Sequence, residues 1–250
     1  MSLPITATII TLNEEENIRQ VIESVKSTCN EIIVIDSQSN DKTVEIAKEL
    51  GAKVYIQKYL GDGLQKDFGV QYATNDWILS IDADERLEES CIQAINDLDL
   101  QDGSYDAYAF KRKTFVGNRW QKVWYPDYVT RLYNSKKCRY LPIAGHSKVD
   151  TENYKKLSVA MLHYSYTDFS DMIQKIDKFS SRGARLLFQN GKRVGKMSPI
   201  THGIASFFKE YIIKRGIFYG RDGLTITLIS SFSTYMKYAL LLDLQENEKL

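Results

Sequence analysis

Three carboxylates follow a short apolar run near residue 80 of this chain. The run is Trp77-Ile-Leu-Ser-Ile81, and Asp82, Asp84 and Glu85 come directly after it. A run of this length and composition is typical of a strand buried on both faces of a parallel sheet. Residues two apart point the same way in an extended chain, so Asp82 and Asp84 are expected to face one target. Two hard oxygen ligands on one side suit Mg²⁺ or Mn²⁺ carrying substrate phosphates.

Two other interpretations of these acids stay open at this point. They could form a solvated strand end before a helix N-terminus, where acids are common. The Asp82-x-Asp84 spacing also resembles the nucleophile pair of haloacid-dehalogenase-type phosphatases. That chemistry places a Thr two residues after the second Asp, where this chain has Arg86, and it places the pair on an early strand.

Composition sets broad limits on the class of protein. The chain has 250 residues, a formal net charge of +1, 43% hydrophobic and 26% charged residues. These values are ordinary for a globular protein with a large core, and they predict no pull toward nucleic acid. The three cysteines form no CxxC pair, which favours a reducing compartment. The first residues lack the features of a signal peptide, so a cytoplasmic location is expected.

Strand and helix patterns alternate over the first 81 residues, which predicts an α/β fold with a mainly parallel sheet and helices on both faces. Asn13 has capping-box spacing to Glu16 and is expected to begin the first helix. The predicted strands are Ile5–Thr11, Ile32–Ile35, Lys53–Ile56 and Trp77–Ile81. The predicted helices follow Asn13, lead up to Gly51 and span Gln65–Ala73.

Three of the predicted strands end in polar or acidic segments, at Thr11–Glu14, Asp36–Asp41 and Asp82–Glu85. The carboxyl ends of parallel strands share one sheet edge, where open α/β sheets bind ligands. The three segments should therefore converge on a binding site. A GxGxxG turn and a GxxxxGK[ST] loop are both missing, so other groups must neutralise phosphates. A divalent ion on Asp84 and the side chain of Lys66 would do so, although a lone Lys is more often solvated.

Longer segments resemble family 2 glycosyltransferases with the GT-A fold. Thr8–Ile18, Ile32–Thr43 and Leu79–Glu85 look like the three signature segments of that family. Trp124–Tyr133 and Leu162–Tyr166 are similar to a branch that includes bacterial lipopolysaccharide core glucosyltransferases. The resemblance implies an inverting transfer of a hexose, with UDP-glucose as the favoured donor, to a cell-envelope saccharide. It implies a single in-line displacement.

The resemblance also implies a role for individual residues. Thr11 and Glu14 would touch the nucleoside, Asp36 the uracil ring, Asp82 the ribose or sugar, and Asp84 the metal, Mg²⁺ or Mn²⁺. The full set of expected nucleotide-sugar-binding residues is Thr11, Leu12, Asn13, Glu14, Asp36, Ser37, Ser39, Lys66, Asp82 and Ala83.

The catalytic base is less well marked in the sequence. The resembling branch usually has a His-Glu pair, whereas this chain has His146 followed by Ser147. Asp127 is the acid that remains inside a matching motif, and we expect it to be the base, although it could simply cap the turn after Pro126. His146 would orient the diphosphate or the acceptor, or be hydrogen-bonded in place. Arg131 would neutralise the diphosphate or pair with a nearby acid.

Aromatic residues follow in the same part of the chain. Trp120, Trp124 and Tyr125 are candidates for a sugar-binding platform, although such clusters are more often core.

The last third of the chain has a helical pattern. Residues 192–221 carry seven Lys or Arg and one acid, Glu210, among large apolar residues. This mixture is typical of a helix on an anionic membrane surface, and equally of a helical lid with solvated charges. The run Leu224–Leu242 is interrupted by Ser, Thr and Lys237, so no transmembrane helix is predicted.

The predicted organisation is therefore a catalytic domain over residues 1–166, with a nucleotide-sugar half at 1–115, an acceptor half at 116–166, and a helical extension at 167–250. The predicted partners are a UDP-sugar, a lipid-linked saccharide acceptor and the inner-membrane surface. A non-catalytic nucleotide-sugar or glycan-binding protein of the same fold is the alternative that the missing Glu beside His146 leaves open. A scaffold protein would not need three acidic strand ends.

Overall fold

The structure is a computed structural model that describes residues 3–141 and 147–248. A mixed sheet runs through it, and within the described residues the strand order is β3-β2-β1-β4-β8-β6-β9-β5, with β7 paired to β6. The strands are β1 Leu3–Thr11, β2 Cys29–Asp36, β3 Lys53–Ile56, β4 Trp77–Asp82, β5 Glu85–Arg86, β6 Ala107–Val116, β7 Arg119–Trp120, β8 Asp127–Asn134 and β9 Tyr154–Tyr166.

Eight α-helices accompany these strands in the described part of the chain. They are α1 Ile18–Val25, α2 Thr43–Glu49, α3 Asp62–Val70, α4 Glu89–Asn96, α5 Phe169–Gln174, α6 Ile176–Gln189, α7 Ser198–Phe208 and α8 Gly220–Asn247. Short 3-10 helices span Lys122–Trp124 and Gly216–Tyr219, and a π-helical turn spans Lys209–Ile213. None of the helices described is long and apolar enough to cross a bilayer.

The four predicted strands of the first 81 residues are confirmed, and they are parallel. β1 lies between β2 and β4, and the register places Thr11 beside Asp36 and Ile10 beside Asp82. Their apolar side chains form the main core, in which Ile5, Ile9 and Ile81 are fully buried. The predicted convergence of the strand ends therefore holds. β8 pairs with β4 in the antiparallel sense, so the sheet continues beyond its parallel half.

The predicted bounds of two helices were wrong. Helix α3 spans Asp62–Val70 rather than Gln65–Ala73. Asn13 does not begin α1: its φ of 54° is left-handed, and the helix starts at Ile18 after Asn17. The side chain of Asn13 instead accepts a hydrogen bond from the backbone of Asn40 at 3.0 Å. A side chain that bonds a distant loop is not available as a cap, so this polar turn belongs to the site edge.

The chain forms two compact units. The first contains the described residues of Met1–Lys113 and Pro126–His163, and the second those of Thr114–Tyr125 and Tyr164–Leu250. A separate apolar cluster in the second unit joins Val116 and Val123 to Met172, Ile176, Ile226 and Ile229. The predicted domain boundary at residue 166 stays a prediction.

Candidate active site

Hydrogen bonds tie the loop after β1 to the loop after β2. The Asp36 carboxylate accepts from the Thr11 hydroxyl at 3.0 Å and from the Ser39 backbone and hydroxyl at 2.8 and 2.5 Å. The amide of Asn13 donates to Ser39 Oγ at 2.8 Å, and the amide of Glu14 to Thr43 Oγ1 at 2.8 Å. Asp36 is fully buried, so its carboxylate holds the two loops in register.

Helix α3 joins the loop after β2 to the chain after β3 through Gln65. Its side chain is fully buried, and its Nε2 donates to Ser37 Oγ at 3.2 Å and to the Gln57 carbonyl at 3.1 Å. Leu12, in the loop after β1, is 51% exposed. The loops after β1 and β2 therefore form a fixed, bonded edge with an accessible apolar side chain.

Asp82 stands at the end of β4 between two cations. Lys66 Nζ lies 2.7 Å from Asp82 Oδ1, and Arg131 donates from its NH2 group to Oδ2 at 2.6 Å. Burial opposes ionisation of Asp82, but the charges of Arg131 and Lys66 outweigh it and hold its pKa well below the usual range. Lys66 is only 5% exposed, so the solvated alternative for this residue is wrong.

The ion pairs continue beyond Arg131 as an alternating chain. Arg131 also donates to Glu85 at 2.7 Å, and Glu85 lies 3.4 Å from Arg112. Arg112 in turn donates to Asp127 Oδ2 from two nitrogens, at 3.0 and 2.6 Å. Glu85 is fully buried, and burial of such a charge is tolerated only when it is paired. The chain of charges thus links the β4 terminus to the start of β8.

Asp84, two residues after Asp82, contacts β9. The backbone turns at Ala83 and Asp84, so the two Asp residues do not share an extended segment as the sequence predicted. Pairing of β5 with β9 sets Glu85 opposite His163. Asp84 Oδ2 then lies 3.4 Å from His163 Nε2. Burial raises the pKa of Asp84, but the bond to His163 outweighs it, and the net pKa is below the ordinary value.

Arg86 holds this turn in shape. Its guanidinium donates to the carbonyls of Ala83 and Glu85 at 2.6 and 2.7 Å, and to Asn17 Oδ1 at 2.8 Å. Ala83, whose carbonyl accepts one of these bonds, is almost fully buried. The turn that carries Asp82 and Asp84 is therefore fixed both to itself and to the start of α1.

The remaining predicted residues lie in different places. Asp127, 39% exposed at its side chain, begins β8 and belongs to the charge chain through Arg112. His146 lies outside the described residues. In the second unit, Trp120 contacts Tyr125 edge to face at 5.3 Å between ring centroids, and Trp124 lies against Tyr166 at 6.4 Å.

Sequence reasoning gave Glu85 no role of its own in the candidate site and did not single out Arg112 or His163. Glu85 stood beside the motif but carried no assigned role. His163 lies in the Leu162–Tyr166 segment, which the sequence marks only through the family resemblance. No local sequence pattern marks Arg112 as a candidate, because its position opposite Asp127 depends on the pairing of β6 with β8.

A divalent ion fits the donor set at the turn. The described residues contain no group of three or more His, Cys, Asp or Glu side chains that could hold a metal by themselves. Asp84 and His163 nevertheless offer one carboxylate oxygen and one imidazole nitrogen on adjacent elements. Mg²⁺ is commonly held by one or two carboxylates plus substrate phosphates and water, and carboxylate oxygens suit Mn²⁺ as well. Both oxygens of Asp82 are already occupied by cations, so Asp84 is the available carboxylate.

The fold is that of GT-A glycosyltransferases. The crystal structure of S. aureus TarS 1–349 matches it with a TM-score of 0.51 at 14% identity, covering 95% of this chain and 92% of that one. Glucosyl-3-phosphoglycerate synthase from Mycobacterium tuberculosis, in complex with phosphoglyceric acid, matches with a TM-score of 0.52 at 17% identity, covering 76% and 81%.

The family follows from the sequence comparisons. Residues 6–152 match the model of glycosyl transferase family 2. An uncharacterized glycosyltransferase of Rickettsia bellii is 34% identical over 96% of this chain and 86% of its own length. A lipopolysaccharide core biosynthesis glycosyltransferase of Rhizobium meliloti, LpsC, is 27% identical over 76% of this chain and 74% of its own length. The chain belongs to glycosyltransferase family 2, as the three signature segments predicted.

Proposed function

We propose that this protein transfers a hexose, with glucose as the first candidate, from a UDP-sugar to a cell-envelope saccharide, inverting the anomeric centre by a single displacement. The observation that carries the proposal is the edge of the sheet where a carboxylate–imidazole pair, Asp84 and His163, accompanies two buried cations, Lys66 and Arg131. When a nucleoside diphosphate leaves, negative charge grows on its phosphate oxygens, and cationic side chains and a divalent ion can both stabilise that charge.

Each part of this edge has a task in the proposed reaction. Lys66 and Arg131 neutralise the diphosphate, and Asp82 holds both cations in place at 2.7 and 2.6 Å. The bonded loops Thr11–Glu14 and Asp36–Ser39 surround the nucleoside. Preorganised charges of this kind stabilise a leaving group without reorganisation during the reaction.

Asp84 and His163 are the residues that would hold Mg²⁺ or Mn²⁺. When bound, the ion supplies Lewis-acid stabilisation of the diphosphate leaving group. The role of this chain's residues is to orient that ion. Arg86 contributes indirectly, because it fixes the carbonyl of Ala83, the residue next to Asp84.

Asp127 is our candidate for the base that deprotonates the acceptor hydroxyl. Both bonds from Arg112 go to Oδ2, which leaves Oδ1 outside that pairing. The side chain is 39% exposed, so an acceptor can reach it. A positioned carboxylate of this kind typically contributes about 10²–10⁴-fold to rate.

The acceptor class is proposed from the name of one relative. LpsC of Rhizobium meliloti is called a lipopolysaccharide core biosynthesis glycosyltransferase, and it matches over three quarters of this chain. We therefore propose a lipid-linked saccharide as the acceptor and the cytoplasmic face of the inner membrane as the place of reaction. Trp120 and Tyr125 are candidates to stack against a sugar ring.

The donor proposal is tested by calorimetric titration of UDP with and without Mn²⁺. We expect UDP to bind the wild type more tightly when Mn²⁺ is present, and Asp84→Asn to lose the metal-dependent part of the affinity. Asp62→Asn is the matched control, since Asp62 pairs with Tyr59 at the start of α3. Absence of UDP binding under both conditions would refute the uridine donor, and an unchanged Asp84→Asn would refute the metal site.

A further inference from the structure

The second unit exposes large apolar side chains on one short segment, Lys209–Arg221, which we call the apolar tip. The tip comprises the π-helical turn Lys209–Ile213, the 3-10 helix Gly216–Tyr219 and the residues that join and follow them. Ile213 is 76% exposed and Phe218 is 78% exposed. Apolar groups this open are expected where a protein contacts another surface.

Backbone hydrogen bonds hold the tip in a defined conformation. The amide of Lys214 donates to the carbonyl of Lys209 at 2.9 Å, and the amide of Phe218 donates to that of Arg215 at 3.0 Å. Arg215 adopts a left-handed conformation with φ of 60°. A fixed turn presents Ile213 and Phe218 at the same place in every molecule.

Two glycines anchor the tip to the first turns of α8. A Cβ on Gly223 would lie 2.1 Å from the carbonyl oxygen of Gly216. A Cβ on Gly216 would lie 2.9 Å from the carbonyl oxygen of Glu210. This close backbone approach means that the exposed apolar side chains have no room to fold back between tip and helix.

The apolar side chains continue along α7. Ile200, Ile204 and Phe208 recur every four residues and are 45%, 54% and 58% exposed. Ile212, in the next turn, extends the row and is 53% exposed. Residues with this spacing lie on one side of a helix, so the row leads from α7 into the tip.

The charges on the tip are almost all positive. Lys209, Lys214, Arg215 and Arg221 lie within it, and its one acid, Glu210, is paired with Lys214 at 3.2 Å. Arg221 is 83% exposed at its side chain. The cores of protein–protein interfaces are depleted in Lys, whereas cations among large apolar groups are typical of segments on anionic bilayers.

Because the tip combines exposed apolar side chains with positive charges, we infer that it is a membrane-insertion surface that binds anionic phospholipid. Ile213 and Phe218 enter the boundary between headgroups and acyl chains, and the long side chains of Arg215 and Arg221 stay at the headgroup phosphates. The inference extends the proposed function, since it brings the enzyme to the surface where a lipid-linked acceptor lies, but its test does not depend on catalysis.

The test is cosedimentation of the full chain with vesicles of phosphatidylglycerol and phosphatidylcholine, compared with phosphatidylcholine alone. We expect wild type to bind the anionic vesicles, and Ile213→Ser/Phe218→Ser to lower the partition coefficient on the order of 100-fold, because two large apolar side chains no longer enter the bilayer. Arg215→Gln/Arg221→Gln is expected to lower it roughly tenfold and to weaken its salt dependence.

The matched control is Ile173→Ser/Phe179→Ser, which removes the same two residue types, 54% and 49% exposed, from α5 and α6 of the same unit. This variant should bind vesicles as wild type does. Equal loss in both double variants, or wild type that ignores anionic vesicles, would overturn the inference.

A second copy of this chain is the rival occupant of the tip. Sedimentation velocity tests this alternative: a wild-type dimer that Ile213→Ser/Phe218→Ser converts to a monomer, together with no vesicle binding, would overturn the membrane assignment.

Titration of UDP into the same variants separates the inference about the tip from the proposed function. Vesicle binding without UDP binding would refute the proposed donor and support the membrane-insertion surface. UDP binding without vesicle binding would support the proposed donor and refute the membrane-insertion surface.

Discussion

Arg131 is the residue on which the buried charges depend most. It is 5% exposed and lies between Asp82 at 2.6 Å and Glu85 at 2.7 Å. Burial works against its charge, but the two carboxylates outweigh that effect and raise its pKa further. Removing a cation from such a site leaves buried anions without a partner, which is the costly case for buried ion pairs.

We expect Arg131→Met to lower the free energy of unfolding by about 3–5 kcal/mol. The measurement is urea denaturation followed by circular dichroism. Lys136→Met is the matched control, because Lys136 pairs with Asp76 at 2.7 Å but its side chain is 73% exposed. That surface pair should contribute less than about 1 kcal/mol. Equal effects of the two variants would contradict a buried, interdependent charge chain.

The geometry allows two roles for Asp127: it accepts a proton from the acceptor hydroxyl, or it only pairs with Arg112. The variant Asp127→Asn distinguishes these two roles. If Asp127 is the base, Asp127→Asn should lower the rate of sugar transfer by about 10²–10⁴-fold and leave UDP affinity unchanged. The amide keeps the shape and one oxygen for Arg112, so folding should persist. The quantity to measure is the UDP released when the sugar is transferred to an acceptor or to water.

The control for this prediction is Arg112→Gln, which leaves the Asp127 carboxylate in place without its bidentate partner. It should lower the rate less than Asp127→Asn does. A variant Asp127→Asn with wild-type turnover would show that Asp127 only positions Arg112. Retained UDP binding with no turnover in the wild type would favour a non-catalytic binding protein.

Among the elements, Glu31 joins the parallel strands at the end opposite to their carboxyl ends. This residue of β2 accepts from the Thr6 hydroxyl of β1 at 2.6 Å, from the Thr74 amide before β4 at 2.8 Å, and from Lys53 of β3 at 2.7 Å. Burial alone would raise the pKa of Glu31, but these bonds outweigh it and lower the pKa from 4.5 to about 2.

A lowered pKa in the folded state means that Glu31 stabilises the fold above its unfolded pKa of 4.5 and loses this contribution as pH falls toward about 2. The shift corresponds to roughly 3 kcal/mol, at 1.36 kcal/mol per pKa unit. Glu31→Gln should therefore lower stability at pH 7 and flatten its decline between pH 5 and pH 2. Glu23→Gln, on an exposed face of α1, should leave the acid limb of the stability curve unchanged.

The elements also show how much the sequence could predict. The strands around Ile9, Ile35 and Ile81 were predictable, because continuous apolar runs between polar turns have few other solutions. The Asp84–His163 pair was not, since it joins residues far apart in sequence through the pairing of β5 with β9. Local patterns specify strands and their ends, whereas contacts between distant antiparallel strands depend on register that no local pattern carries.

At the scale of the whole molecule, the C-terminal helices share a core with a segment of the middle of the chain. Val116 and Val123 pack with Met172, Ile176 and Ile226 in one apolar cluster of the second unit. The amide of Gly117 donates to the carbonyl of Tyr166 at 2.8 Å, and Phe115 stacks on Tyr164 at 5.1 Å between centroids. The second unit is thus built from two separate stretches of sequence.

Truncation after residue 166 should therefore do more than remove an appendage. It would expose Val116 and Val123, which are 0% and 3% exposed in the full chain, and it would leave Thr114–Tyr125 without its packing partners. We expect the truncated protein to bind the dye ANS and to be cleaved by trypsin after Arg119 and Lys122 faster than the full chain, because this segment would lose the backbone order that its packing partners give it. Mass spectrometry of the fragments locates the cuts. If the truncated chain resists cleavage there and binds no dye, the helices fold as an independent extension, because the middle segment would then be stable without them.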